Sequence, residues 1–211
     1  MGVRAMSQNQ PRSPRDQSSA PTLGGWLVPI DERRALAQSR RSTSSGTVVI
    51  TEFDRTYTVP FIPTSVETAE RMLDVAKVGP GDVVCDLGCG DARILILATE
   101  SFKADKAVGY EIRRQVYESG LKEVEARNLE RKVTVINGDL FDADLSDATV
   151  ITLYLNYGVN KSLKPKLEKE TKPGTRIVSH DFKIPDWKPV RRLKHQGDII
   201  YLYVAPQSFG N

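Results

Sequence analysis

Val83-Val84-Cys85-Asp86-Leu87-Gly88-Cys89-Gly90-Asp91-Ala92-Arg93 runs from a short apolar stretch into a glycine-rich turn and on to Ile94, Leu95, Leu97 and Ala98. A brief apolar run introduced by the turn Gly79-Pro80-Gly81-Asp82 suits a strand buried on both faces. The apolar residues beyond the glycines recur at helical spacing. The segment therefore reads as strand, loop and helix. Glycines at that junction let the backbone approach a ligand closely at the carboxyl end of the first strand, where doubly wound sheets bind their ligands.

Upstream, Val59-Pro60-Phe61-Ile62-Pro63 is extended, because each proline drives its predecessor out of the helical region. Thr64 and Glu67 form a capping box for a helix over about 65–77, with Val66, Ala69, Leu73 and Ala76 on one face. Downstream, strands are expected at 106–111, 133–136, 149–154 and 176–179. Tyr117, Leu121 and Val124 mark one intervening helix, and Pro165 suits the first turn of another. Residues 190–195 and 199–204 are separated only by Gln196-Gly197-Asp198, so they form a terminal hairpin. The expected fold is α/β and doubly wound: a mainly parallel seven-stranded sheet with helices on both faces and a C-terminal antiparallel hairpin, Rossmann-like in arrangement.

At 211 residues the chain holds one well-buried core. The texture changes near Thr47. Residues 1–46 are rich in Ser, Pro, Gln and Arg and lack apolar periodicity, so they read as a disordered extension; 47–211 form the domain. The extension contains Arg4, Arg12, Arg15, Arg33, Arg34, Arg40 and Arg41 against Asp16, Asp31 and Glu32, so it holds the basic character of a chain whose net charge is only +3. Such a surplus demands neither a nucleic-acid nor a membrane partner, except through that basic segment. No apolar run approaches the roughly 20 residues of a membrane span. A cytoplasmic location is expected. An organelle is the alternative, because an Arg- and Ser-rich, acid-poor leader also describes a transit peptide. Cys85 and Cys89 are the only cysteines and have no histidine nearby, so no metal is expected.

The loop departs from the dinucleotide pattern G-x-G-x-x-G, since its third small residue, Ala92, comes one position early. The preceding strand also closes on a carboxylate, Asp86. That charge repels a pyrophosphate and attracts the ammonium of a methionine moiety. Glu111 ends the second strand, where an acid accepts ribose hydroxyls. Asp139, after the third strand, can accept from an adenine amine while Leu140 offers its backbone N–H. Gly88, Gly90, Asp86, Glu111, Asp139 and Leu140 are thus the candidate cofactor residues. Asp91, opening a helix, is equally a simple cap.

Residues 59–204 resemble a class I S-adenosylmethionine-dependent methyltransferase. More narrowly, they resemble the archaeal broad-specificity protein lysine methyltransferases and their eukaryotic mitochondrial relatives. Besides the glycine loop, the matching pieces are Val59-Pro60-Phe61-Ile62-Pro63-Thr64, Leu163-Lys164-Pro165-Lys166-Leu167, Lys172-Pro173-Gly174-Thr175-Arg176, Val178-Ser179-His180-Asp181-Phe182 and Trp187. The chain departs from the family pattern in Ala92, usually glycine, and Ser65, often proline. The resemblance implies S-adenosyl-L-methionine as cofactor, exposed lysines of proteins as acceptors, and protein-lysine N-methyltransferase activity.

Thr152-Leu153-Tyr154-Leu155-Asn156-Tyr157 then lies beside the transferred methyl, and it lacks the Asn/Asp-Pro-Pro-aromatic motif of adenine-N6 methyltransferases. Tyr154 and Tyr157 offer π faces to a lysine or its methylated cation, and each is equally a packing aromatic. Lysine's ordinary pKa near 10.4 leaves only about one amine in a thousand neutral at physiological pH, so its proton must be removed. His180 or water is the candidate acceptor. Thr64, Tyr154 and Asn156 are candidates for the acceptor channel. Methylation of a small molecule or RNA, and a non-catalytic cofactor-binding scaffold, are the alternatives. Deleting residues 1 to about 45 is expected to leave core methyl transfer intact, because they lack the apolar pattern needed to join a packed domain; a folded truncation inactive on every acceptor contradicts that.

Overall fold

A computed structural model describes residues 61–210. The expectations for Val59, Pro60 and the N-terminal extension lie outside them. The elements run in order α1 (Val66–Val75), β1 (Val83–Leu87), α2 (Arg93–Glu100), β2 (Lys106–Glu111), α3 (Arg114–Ala126), β3 (Val133–Asn137), β4 (Val150–Leu153), α4 (Tyr157–Glu170), β5 (Arg176–His180), β6 (Arg191–His195) and β7 (Asp198–Val204). They form one seven-stranded sheet in the order β3-β2-β1-β4-β5-β7-β6. β1 to β5 are mutually parallel, and β7 inserts antiparallel between β5 and β6. The expected fold class is the observed one.

Alternation along the strands divides the core between the two faces of the sheet. Val84, Ala107, Val133, Val150, Val178 and Ile200 face Ala69, Met72 and Leu73 of α1, Leu95 and Ala98 of α2 and Val124 of α3. Cys85, Leu87, Ile151, Leu153, Ile177 and Tyr203 face Val159, Leu163 and Leu167 of α4, with Ile184 and Trp187. At the amino edge of the sheet, Arg176 pairs with Asp82 and donates to the Ala76 carbonyl at 2.7 Å. Thr149 Oγ1 donates to the same Asp82 at 2.7 Å, so strands β1, β4 and β5 begin together on a satisfied polar cluster.

Three local expectations change. The cap of α1 is Ser65, whose hydroxyl accepts from the Thr68 N–H, and Thr64 turns elsewhere. Both residues are good caps, so tertiary contacts decide between them. Val66 is exposed, although Ala69, Leu73 and Ala76 are buried as expected. Helix α4 begins eight residues before Pro165, which lies in its interior instead of its first turn. Asn156 supplies the cap there, its Oδ1 accepting from Val159 N at 2.9 Å.

Gly109 of β2 is a packing requirement. A Cβ on it would lie 2.5 Å from Cys89 Cβ and 2.6 Å from Leu95 Cδ1. Gly109→Ala is expected to cost about 1–3 kcal/mol through overpacking and to lower the melting temperature by roughly 3–10 °C, measurable by calorimetry.

Candidate active site

The carboxyl ends of the parallel strands share one edge. There β1 passes into a loop in which Gly88 and Gly90 take φ of +90° and +57°, and Ala92 takes +66°. Ala92 thus occupies the left-handed region that favours glycine, at about 1–2 kcal/mol for a residue with a Cβ. The Gly88 and Cys89 N–H groups both donate to the Tyr110 carbonyl, at 2.9 and 3.0 Å, anchoring the loop to β2. Gly120 of α3 lets that helix press on the loop, since a Cβ there would meet the Gly90 carbonyl oxygen at 3.2 Å.

Asp86 is buried at the floor, its Oδ1 accepting from the Thr152 hydroxyl at 2.7 Å. Burial, then the neighbouring charges of Glu111 and Asp91, push its pKa up to about 7 against the opposing Thr152 hydrogen bond. Glu111 is also buried, and each of its oxygens accepts one main-chain bond: Oε2 from Gly90 at 3.2 Å and Oε1 from Arg113 at 2.8 Å. A carboxylate oxygen has a second lone pair, so these bonds orient Glu111 without exhausting it. Asp139 Oδ1 accepts from Phe141 N at 2.9 Å and caps the short 3₁₀ turn Leu140–Asp142. Ile112, directly after Glu111, is 67% exposed.

A second group of side chains gathers beside the loop. The Tyr154 ring stacks on His180 with centroids 3.9 Å apart, and Phe182 lies 6.5 Å from Tyr154. Thr64, buried, sets its Oγ1 3.3 Å from His180 Nδ1. His180 Nε2 lies 3.1 Å from Asp198 Oδ2 and 3.7 Å from Asp181 Oδ2 without lining up with either as a hydrogen bond. Burial lowers the His180 pKa, while Asp181 and Asp198 oppose that shift. The Tyr154 pKa is raised by burial and by the same two acids.

The segment carrying Thr64 is fastened to the glycine loop. Arg93 holds Asp91 and donates to the Thr64 carbonyl at 2.7 Å. The Phe61 ring sits so close that a Cβ on Gly90 would lie 2.4 Å from it. Of the expected acceptor residues, then, Thr64, Tyr154 and His180 come together. Asn156 is engaged as the α4 cap, and Tyr157 is half exposed on the first turn of α4.

Residues 86–191 match the family described as the ANTKMT methyltransferase domain. The chain belongs to that family. A protein-lysine N-methyltransferase of Saccharolobus islandicus (strain REY15A) is 45% identical over 150 residues, covering 69% of this chain and 93% of the relative. The adenine nucleotide translocase lysine N-methyltransferase of Mus musculus is 31% identical over 147 residues, covering 69% and 62%. Among solved structures, an RNA methyltransferase from Salinibacter ruber in complex with S-adenosyl-L-homocysteine is 40% identical, with a TM-score of 0.67 and coverage of 69% and 95%.

The chain is therefore an S-adenosylmethionine-dependent methyltransferase, and its loop fits that cofactor. Buried acids at the ends of β1 and β2 and a glycine turn of positive φ are what a cationic, ribose-bearing ligand needs. The sequence assigned no individual role to Asp198, which lies beside His180, or to Arg93 and Phe61, which brace the glycine loop. Asp198 reads as a turn residue, and only the antiparallel course of β7 brings it to the edge where the parallel strands end.

The raised Asp86 pKa carries a stability consequence. The carboxyl is neutral in the cofactor-free fold below about pH 7 and ionised in the unfolded chain above its ordinary 3.8. Stability is thus lost as pH rises between those values, because the unfolded state has already shed the proton. Asp86→Asn is expected to stabilise the cofactor-free domain at pH 8 by on the order of 2 kcal/mol and to have little effect at pH 4. Denaturant melts at the two pH values measure the difference; equal effects at both overturn the assignment.

Proposed function

We propose that this methyltransferase transfers methyl groups to the ε-amines of lysine side chains in proteins. Bound S-adenosylmethionine supplies an electrophilic methyl on a sulfonium. On the cofactor side, Asp86 faces the ammonium of the methionine moiety, Glu111 accepts from the ribose, and Asp139 with the Leu140 N–H reads the adenine edge. Ile112 offers the base an apolar wall. Gly88 and Gly90 keep the approach open.

The observation that carries the lysine reading is the charge at the acceptor side. Asp181 and Asp198 are each about one-third exposed, and among the described residues neither pairs with a lysine or arginine. Two uncompensated carboxylates beside the π face of Tyr154 attract a cationic side chain and repel a phosphate backbone. The archaeal and mouse relatives, both lysine N-methyltransferases, support the same acceptor. Tyr154 then positions the amine, and the Phe182 ring helps exclude water, which lets in-line placement supply the acceleration.

Labelled cofactor incubated with cell lysate is expected to mark protein, resistant to nuclease, with methyllysine found by mass spectrometry. The Salinibacter relative's description makes RNA the acceptor to test against: label confined to nucleotides would reject the lysine reading. Tyr154→Ala should lower kcat by roughly tenfold or more while leaving the cofactor Kd nearly unchanged, because its role is to orient the amine. Asp86→Ala and Glu111→Ala should instead abolish cofactor binding in a folded protein, seen by calorimetry.

A further inference from the structure

Three side chains surround His180 between the acceptor side and solvent, and none of them has a part in holding the cofactor. Thr64 Oγ1 is 3.3 Å from His180 Nδ1, and both residues are buried. On the far side of the ring stand Asp198 and Asp181, at 3.1 and 3.7 Å from Nε2. A bare ring lone pair facing two carboxylates is repelled by both, so Nε2 is the nitrogen that carries the proton. Nδ1 is left as an acceptor, and among the described residues it is the Thr64 hydroxyl that faces it.

The carboxylates are themselves held. Asp198 Oδ2 accepts from Thr68 Oγ1 at 2.9 Å, and Thr68 Oγ1 accepts from Ser65 Oγ at 3.0 Å. Asp181 Oδ1 accepts from Ile199 N at 2.8 Å, and the Asp181 N–H donates to the Ile199 carbonyl at 2.7 Å. Asp181 adopts φ of +57°, a left-handed conformation that a residue with a side chain takes at a cost. Two strands, β5 and β7, are thus locked to present both acids to one imidazole.

We propose that Thr64, His180, Asp198 and Asp181 are a proton relay for the acceptor amine, with the two aspartates as positioning residues that fix the His180 tautomer. This rests on the lysine reading given above. The lysine ammonium gives one proton to the Thr64 oxygen as the Thr64 hydroxyl proton passes to His180 Nδ1. The freed nitrogen lone pair forms the bond to the methyl carbon as the carbon–sulfur bond breaks, and that electron pair leaves on sulfur. Once the methylated product leaves, the imidazolium, held by Asp181 and Asp198 on its Nε2 side, gives its Nδ1 proton to water entering from the acceptor side, which restores the Nε2-protonated ring. The charged and titratable groups facing His180 are Tyr154 beyond β4, Asp181 beyond β5 and Asp198 opening β7. Arg93 of α2 stands one residue-link away on the Thr64 carbonyl.

The chain has only two histidines, His180 and His195, which makes the tautomer directly measurable. Long-range proton–nitrogen NMR spectra of the cofactor-free full chain, with His195→Gln to assign the signals, are expected to show His180 protonated on Nε2. Protonation on Nδ1 would overturn the relay whatever the enzyme's acceptor proves to be. In Asp198→Asn the His180 titration should move to lower pH, since one stabilising charge is gone; an unmoved titration would count against the proposal.

Kinetics supply the second arm. His180→Gln should lower kcat by about 10²-fold with the cofactor Kd unchanged, and should replace the wild-type pH profile by a rate that climbs steadily with pH as free amine accumulates. Thr64→Val should behave similarly and Thr64→Ser should recover most of the rate. Wild-type kcat and pH profile in folded, cofactor-binding His180→Gln would overturn the proposal. A requirement for an added divalent cation would do so too, by making His180, Asp181 and Asp198 ligands. Nucleotide label in place of methyllysine would fail the lysine reading while the NMR result still judges the tautomer.

Discussion

Side-by-side pairing of β1, β2, β4 and β5 in one direction brings Leu87, Glu111, Leu153 and His180 to a common edge, and the whole site is built on that edge. A parallel sheet returns each strand through a helix, so the loops leaving the carboxyl ends converge while those at the amino ends are taken up in packing. Here the amino edge is closed by Asp82, Thr149 and Arg176. The antiparallel β7 breaks the pattern productively. Its first residue, not its last, falls at the functional edge, which is how Asp198 arrives beside His180.

What the sequence made legible follows from how local the determinants are. The strand–loop–helix reading of 83–98 needs only a short apolar run, glycines and a helical period, and the acids closing β1 and β2 are found by counting to the ends of those strands. Residues whose role is settled by distant partners were not legible in the same way. Thr64 and Ser65 are both competent caps; Thr64 Oγ1 faces His180, 116 residues away, and Ser65 takes the helix. Asn156 sits in the stretch expected to line the acceptor channel, yet its side chain is engaged in starting α4. Val66 fits a helical apolar face by spacing, but as the first residue of α1 it is left 48% exposed.

The site gathers carboxylates at a cost to the fold. Asp86 and Glu111 are buried near one another and near Asp91, and Asp181 and Asp198 flank the same buried ring. Among these five, only Asp91 has an arginine partner among the described residues. Like charges at short range destabilise a folded chain unless a cation joins them. The cofactor carries an ammonium and a sulfonium, and the acceptor of the proposed reaction carries a second ammonium. Binding therefore relieves what folding concentrates.

The two halves of the site are mechanically one, because the strap at 61–65 belongs to both. Phe61 packs on Gly90 in the cofactor loop, the Thr64 carbonyl is held by Arg93 from the same loop, the Thr64 hydroxyl meets His180, and Ser65 starts α1. A ligand that reshapes the glycine loop pushes on Phe61 and Arg93, and through them on the Thr64 hydroxyl beside His180. Ala92, at a backbone position better suited to glycine, sits at the base of this linkage and stiffens it, since a Cβ narrows the conformations open to the loop. The strap therefore ties the glycine loop to the Thr64 hydroxyl and His180 directly, through packed side chains and hydrogen bonds.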